Sequence, residues 1–243
     1  QEFFMIKLLS YVTLMSIILS GGAVADEVNG KWGTMDLYGF AEVGMATSDI
    51  NLNSSSVTSG SYTYTETVDK TGTMTKLGIG MSLAESMAVE AYVGQLTGFS
   101  NTATLTATNA VIGGYTLNGS LTGVEAIEAD LQGVSLIFSG GTRFANDNKI
   151  SYFGRVGFVN IDLVDTVTFS GTGTVDGTAV STTAAVTTFK ESGTTPTLGA
   201  GISYATQANL LFSAAVDYIP NVGGTYVAKS NITSVTLSMS VKF

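Results

Sequence analysis

The clearest pattern in the chain lies near its end, where Val235, Leu237, Met239, Val241 and Phe243 alternate with Ser234, Thr236, Ser238, Ser240 and Lys242. Period-two alternation predicts a β-strand with one apolar and one polar face. The same rhythm recurs upstream. Residues 34–46 set Leu37, Val43 and Met45 against Asp36, Tyr38 and Glu42, and residues 74–83 set Leu77, Ile79 and Met81 against Lys76, Gly78 and Gly80. Residues 87–96 set Met87, Val89 and Val93 against Glu90, Tyr92 and Gly94. Residues 149–163, 197–205 and 209–219 follow suit, with Arg155 and Asp217 on the polar faces. The stretch 126–144 differs: Ile127, Ala129 and Leu131 keep one register and Val134, Leu136 and Phe138 the other, which predicts a bulge near Gly133.

Short and long connections alternate between these eight predicted strands. Residues 84–86, 145–148 and 206–208 read as tight turns, whereas 54–73, 101–122 and 166–194 are long and rich in Thr and Ser, and 220–230 is a shorter loop. Short turns at one end and long loops at the other predict an all-β fold. Its expected form is an eight-stranded antiparallel transmembrane up-and-down β-barrel with short periplasmic turns and long extracellular loops. Closure matters because a barrel is the strand architecture that leaves no unsatisfied edge in lipid.

Composition agrees with this reading. Charged residues make up 12% of the chain, against roughly 25% in an average soluble domain. Residues 1–25 read as a signal peptide with a short N-terminal extension: Lys7, an apolar run over 8–19, then Ala23-Val24-Ala25 as a cleavage pattern. Residues 26–243 are then the barrel, in which no run of about 20 apolar residues offers a helical span. Twenty-nine glycines against two prolines suit close-packed strands with unbroken ladders. The net charge of −9 argues against a nucleic-acid partner, and the absence of cysteine excludes disulfides and thiolate metal sites.

The candidate site is the set of charges predicted to face inward: Asp36, Glu42, Lys76, Glu90, Arg143, Arg155, Asp217 and Lys242. Charges inside a narrow barrel need partners. They are expected to form an ionic network that fills the lumen, with a gate or narrow path for ions or small solutes as the alternative. No catalytic residue, cofactor or metal is expected; the run Asp49-Ile50-Asn51-Leu52-Asn53 lacks the glycine and distal glutamate of a calcium loop. A soluble, lipocalin-like ligand carrier is the rival fold, since Gly30-Lys31-Trp32 matches that family's opening Gly-x-Trp. It requires the apolar faces to point inward.

The stretches GVSLIFSGGTRFANDNKISYFGRVGFVNIDL and LGAGISYATQANLLFSAAVDYIP follow a strand, short turn, strand order. In that order the chain resembles the eight-stranded outer-membrane barrels related to the transmembrane domain of outer-membrane protein A, over residues 32–243. The final strand, with Val235, Leu237, Met239, Val241 and Phe243, resembles the C-terminal assembly signal of Gram-negative outer-membrane proteins. The resemblance implies export to the outer membrane and insertion by the barrel assembly machinery. It also implies a monomer among outer-membrane lipids, with the loops making any extracellular contact. The family's peptidoglycan-binding domain is expected to be absent. Outer-membrane barrel enzymes of similar size resemble one another in using a histidine base; this chain has none, so no enzymatic activity is expected.

Overall fold

The computed structural model describes residues 36–50, 52–84, 86–140, 150–207, 209–225 and 227–243. They form β1 (Leu37–Ser48), β2 (Ser55–Ser59), β3 (Tyr62–Asp69), β4 (Thr71–Ala84) and β5 (Met87–Ile112). These are followed by β6 (Tyr115–Ser139), β7 (Ile150–Val175), β8 (Thr178–Gln207), β9 (Leu210–Val222) and β10 (Ser230–Lys242). Eight of them close into a ring in the order β1-β4-β5-β6-β7-β8-β9-β10, with β10 pairing back onto β1; every neighbouring pair is antiparallel. The hairpin β2–β3 lies outside the ring and pairs with the upper half of β5.

Ring closure has a measurable stagger. Paired residues lead from Leu37 through Met81, Val89, Leu136, Val156, Leu198, Tyr218 and Thr233 back to Thr47, ten residues further along β1. A stagger of that size requires tilted strands, in the usual range of about 35–45° to the barrel axis. An eight-stranded barrel so tilted has an interior that side chains can fill.

The strands differ greatly in length. β1, β4, β9 and β10 have 12 to 14 residues, whereas β5 to β8 have 25 to 30. The excess lies in the stretches whose composition predicts loops. Residues 101–122 and 166–194 are paired strand rather than irregular connection, and β2 and β3 fill most of 54–73. Their hairpin tips are two-residue turns, Gly113-Gly114 and Asp176-Gly177, all four residues at positive φ, the backbone that matches the twist of the flanking strands. One end of the molecule thus carries short turns, and from the other a β-sheet rises on one side.

The bulge predicted at Gly133 is not there. β6 alternates without interruption, and Ile127, Ala129, Leu131, Gly133, Ser135 and Ile137 all face the interior. What changes along the strand is the medium outside it. Below Gln132 the outward residues are Val134, Leu136 and Phe138; above it they are Asp130 and Glu128. β7 does the same, passing from Tyr152, Val156 and Phe158 to Asn160 and Asp162. The interior inverts with it. Arg155 and Gly157 give way to Val159, Ile161 and Leu163, all buried. The apolar outer run covers 150–158 on β7 and 196–204 on β8, in line with the about 9–11 residues a tilted strand needs to cross a bilayer. The one irregularity nearby sits on β5, where the register to β6 shifts between Leu96 and Phe99 and Gly98 takes φ +99°, a backbone that favours glycine.

Candidate functional site

Four of the predicted inward charges meet at one level of the lumen. Glu42 on β1, Lys76 on β4, Arg155 on β7 and Asp217 on β9 are each at most 9% exposed. Lys76 Nζ donates to Glu42 Oε1 at 2.6 Å and to Asp217 Oδ2 at 2.8 Å. Arg155 donates through Nη1 to Glu42 Oε2 at 2.9 Å and through Nη2 to Glu42 Oε1 at 3.1 Å. Its Nε reaches Asp217 Oδ1 at 2.5 Å, and Nη2 also meets Asp217 Oδ2. Two cations thus share two carboxylates, and the cluster is neutral. Both carboxylates accept several charge-assisted bonds, the condition under which ions are tolerated away from water.

Around this cluster the packing is close. Lys76 Nζ also lies 5.2 Å from the centre of the Tyr92 ring, a cation–π distance. Glu90, a further predicted charge, is 4% exposed and accepts a hydrogen bond from the Tyr38 hydroxyl at 2.8 Å. The Tyr38 ring lies over Gly80 and the Tyr92 ring over Gly133, so the small residues of neighbouring strands make room for the aromatics. Gly199 does the same for the ions: a Cβ there would collide with Asp217 Oδ1 and come within 2.9 Å of Arg155 Cγ.

The other predicted residues lie elsewhere. Asp36 and Lys242 form their own ion pair of 2.8 Å at the short-turn end, each side chain about a quarter exposed, apart from the lumen cluster. Arg143 lies outside the described residues. Val235, Leu237, Met239, Val241 and Phe243 line the outer face of β10 with exposures of 37 to 77%. That exposure separates the rival folds. An outer surface carrying Val43, Leu77, Phe138, Tyr152, Phe158, Ile202 and Leu237 around an interior of buried ions is the inverse of a lipocalin. The lipocalin-like alternative is therefore corrected.

The tall end is the part that composition alone concealed. Above the apolar belt, the outer face of the sheet is a field of hydroxyls: Thr63 and Thr65 on β3, Thr102, Thr104 and Thr106 on β5, Thr122 on β6, and Thr168, Thr172 and Thr174 on β7. Cross-strand pairs such as Thr104 and Thr122, with oxygens 3.3 Å apart, stand side by side. The inner face carries Tyr64, Leu105, Leu121 and Phe169, each 38 to 47% exposed. At its base, Asp49 ties β1 to β10: Asn231 donates to it through its backbone N at 2.5 Å and through Nδ2 at 2.6 Å. These bonds hold the Asp49 carboxyl below the usual aspartate range. Asp165 and Glu125, on the inner face above the belt, are shifted the other way by burial, Glu125 additionally by the charge of Asp165.

A closed antiparallel ring of eight strands, apolar outside and ionic inside over one bilayer crossing, defines a transmembrane β-barrel with a neutral ion cluster in its interior. Among solved structures, the chain is similar to the N-terminal β-barrel domain of Pseudomonas aeruginosa OprF, at 11% identity and TM-score 0.43, covering 85% of this chain and 97% of that one. It is also similar to Neisserial surface protein A, at 12% identity and TM-score 0.41 over 85% and 97% of the two chains. OprG, an outer-membrane protein of Pseudomonas aeruginosa, stands at 17% identity and TM-score 0.40 over 85% and 95%. No established family pattern and no curated protein sequence matches the chain. The assignment of the fold rests on the barrel's own geometry.

Proposed function

We propose that the chain is an outer-membrane barrel of a Gram-negative bacterium, with its short turns in the periplasm and its lumen closed. In this reading it works as a structural and surface-interaction protein through the sheet it holds outside the cell. The observation that carries the proposal is the continuation of β5 to β8 as paired strands far beyond the apolar belt, with a Thr/Ser outer face. A rigid scaffold that presents such a surface is the usual setting for recognition. The closed lumen is supported by Arg155, which joins strands on opposite sides of the bore through Glu42. The absence of histidine supports a non-enzymatic role.

Orientation and location can be tested together because the chain contains no cysteine. Ser181→Cys at the tall end and Ser86→Cys at the turn end each give a unique label site. On intact cells, a membrane-impermeant maleimide should label position 181 and spare position 86. The reverse result overturns the orientation, and a protein that fractionates with the soluble periplasm overturns the membrane reading. Planar-bilayer recording tests closure: stable conductance steps that change on Arg155→Gln would replace the filled lumen with a pore.

A further inference from the structure

We propose that the mouth of the barrel, where the ring meets the tall sheet, is a binding site for a small organic cation, an ammonium group on a short apolar body. The site is separate from the ionic cluster and goes beyond a structural or surface role. A cavity of about 50 Å³ lies there, walled by Phe99, Ile127, Leu163 and Val227 and bounded at one side by Asn101 and Glu125. The walls exclude a strongly hydrated ligand, so an apolar body is favoured.

The polar side of the cavity sets the ligand's head group. Asn101 turns its Nδ2 to Glu66 Oε1 at 3.1 Å, and the same amide lies against Glu125. Its Oδ1 is buried with no hydrogen-bond partner among the described residues. Asp165, only 3% exposed, faces the interior beside Ile127 and two residues above Leu163, and its Oδ1 is likewise buried and unpartnered. A buried polar atom without a partner is destabilising, so each is an opening for a donor. Both open atoms are acceptors; Glu125 lines the cavity and Asp165 adjoins its wall residue Ile127, and neither these two nor Glu66 has a paired Lys or Arg among the described residues. The site therefore asks for positive charge and N–H donors.

A metal ion is the other cation to weigh. Among the described residues no three acidic or histidine side chains converge closely enough to hold one, whereas an ammonium needs only acceptors at hydrogen-bond distance on one side and apolar contact on the other. Burial raises the proton affinity of both Glu125 and Asp165, as expected of carboxylates lacking a cationic partner. The exposed Leu105, Leu121 and Phe169 continue the apolar inner face upward, giving an apolar track down to the cavity.

The test uses the full chain in lipid nanodiscs, with methyl-resolved NMR titrations of n-butylamine, n-butanol and n-butyrate at neutral pH. Saturable shifts at Ile127 and Leu163 are expected with butylammonium, weaker ones with butanol and none with butyrate. The isosteric pair Glu125→Gln with Asp165→Asn should weaken butylammonium by at least roughly tenfold, the scale of hydrogen bonds to charged groups. The outer-face pair Glu128→Gln with Asp162→Asn, which removes the same charge from the other side of the wall, should leave it unchanged. Equal binding of butanol, an unaffected isosteric variant, an equal loss in the outer-face control, or no saturable shift overturns the proposal. Should the isosteric pair fail to assemble, Val227→Trp fills the cavity and leaves the acids in place; binding that survives it also overturns the site.

Discussion

Arg155 and Glu42 stand on strands at opposite sides of an eight-stranded ring, and their side chains meet across the bore in two bonds of 2.9 and 3.1 Å. The pair makes this contact a property of the whole ring, because the two side chains meet only when the strands between them are closed at the right stagger. Arg155→Gln leaves Glu42 and Asp217 buried with only Lys76 to share. Such losses cost about 3–5 kcal/mol, which urea unfolding in vesicles should register. Adding Asp217→Asn to that variant should recover part of the loss, because it removes the uncompensated charge.

Gly199 is required by that cluster. Gly199→Ala forces a methyl group into the space of the Asp217 carboxylate and the Arg155 side chain, and overpacking of this kind costs about 1–3 kcal/mol. Gly193, six positions away on the same strand, has open space where a Cβ would lie and no left-handed backbone. Gly193→Ala should be neutral or stabilising by up to about 1 kcal/mol. Equal effects of the two substitutions in the same unfolding assay would remove the close-packing explanation.

The seam between β1 and β10 should open with acid. Bonds from Asn231 lower the Asp49 carboxyl in the folded state, so the folded protein holds that proton less tightly than the unfolded chain. The stabilisation is present above the unfolded pKa and is lost as pH falls through the folded one. Hydrogen exchange at Asn231 N–H, corrected for the intrinsic rate, should rise below about pH 4, the ordinary aspartate range. Asp49→Asn should show the faster exchange at every pH.

Asp165 and Glu125 carry the opposite sign. Their raised pKa values mean that the ionised forms oppose folding of the tall sheet, a penalty that fades as pH falls through the folded pKa toward the unfolded one. Protection of the β6–β7 ladder around Ile127 should therefore increase on mild acidification. Asp165→Asn should raise protection at neutral pH and flatten the dependence. A wild-type profile that falls on acidification would contradict the sign.

Face membership was legible from residue order because alternation is local. Every residue of β10 and β1 named from the two-residue period lies on the side that the period assigns, and Glu42, Lys76, Arg155 and Asp217 all came from the polar side of that pattern. The eight-strand ring was legible for the same reason, since each crossing needs its own alternating run. Hydroxyl-rich composition, by contrast, looked like loop. Thr and Ser on one face of a strand in water carry no hydrophobic contrast with the surroundings, but the signals were present: alternation such as Thr102, Thr104 and Thr106, and the turn pairs Gly113-Gly114 and Asp176-Gly177.

The sequence by itself determined which way each side chain of a membrane strand points, because the contrast between lipid and lumen is written into every second residue. Tertiary structure decided who meets whom. The ten-residue stagger of the ring brings residues 42, 76, 155 and 217 to one level and leaves Asp36 and Lys242 to pair at the rim. It also carries β6 and β7 out of the bilayer midway along their length, so that an unbroken strand reverses its apolar face at Gln132. Register and the boundary of the medium are properties of the closed ring, and no local period contains them.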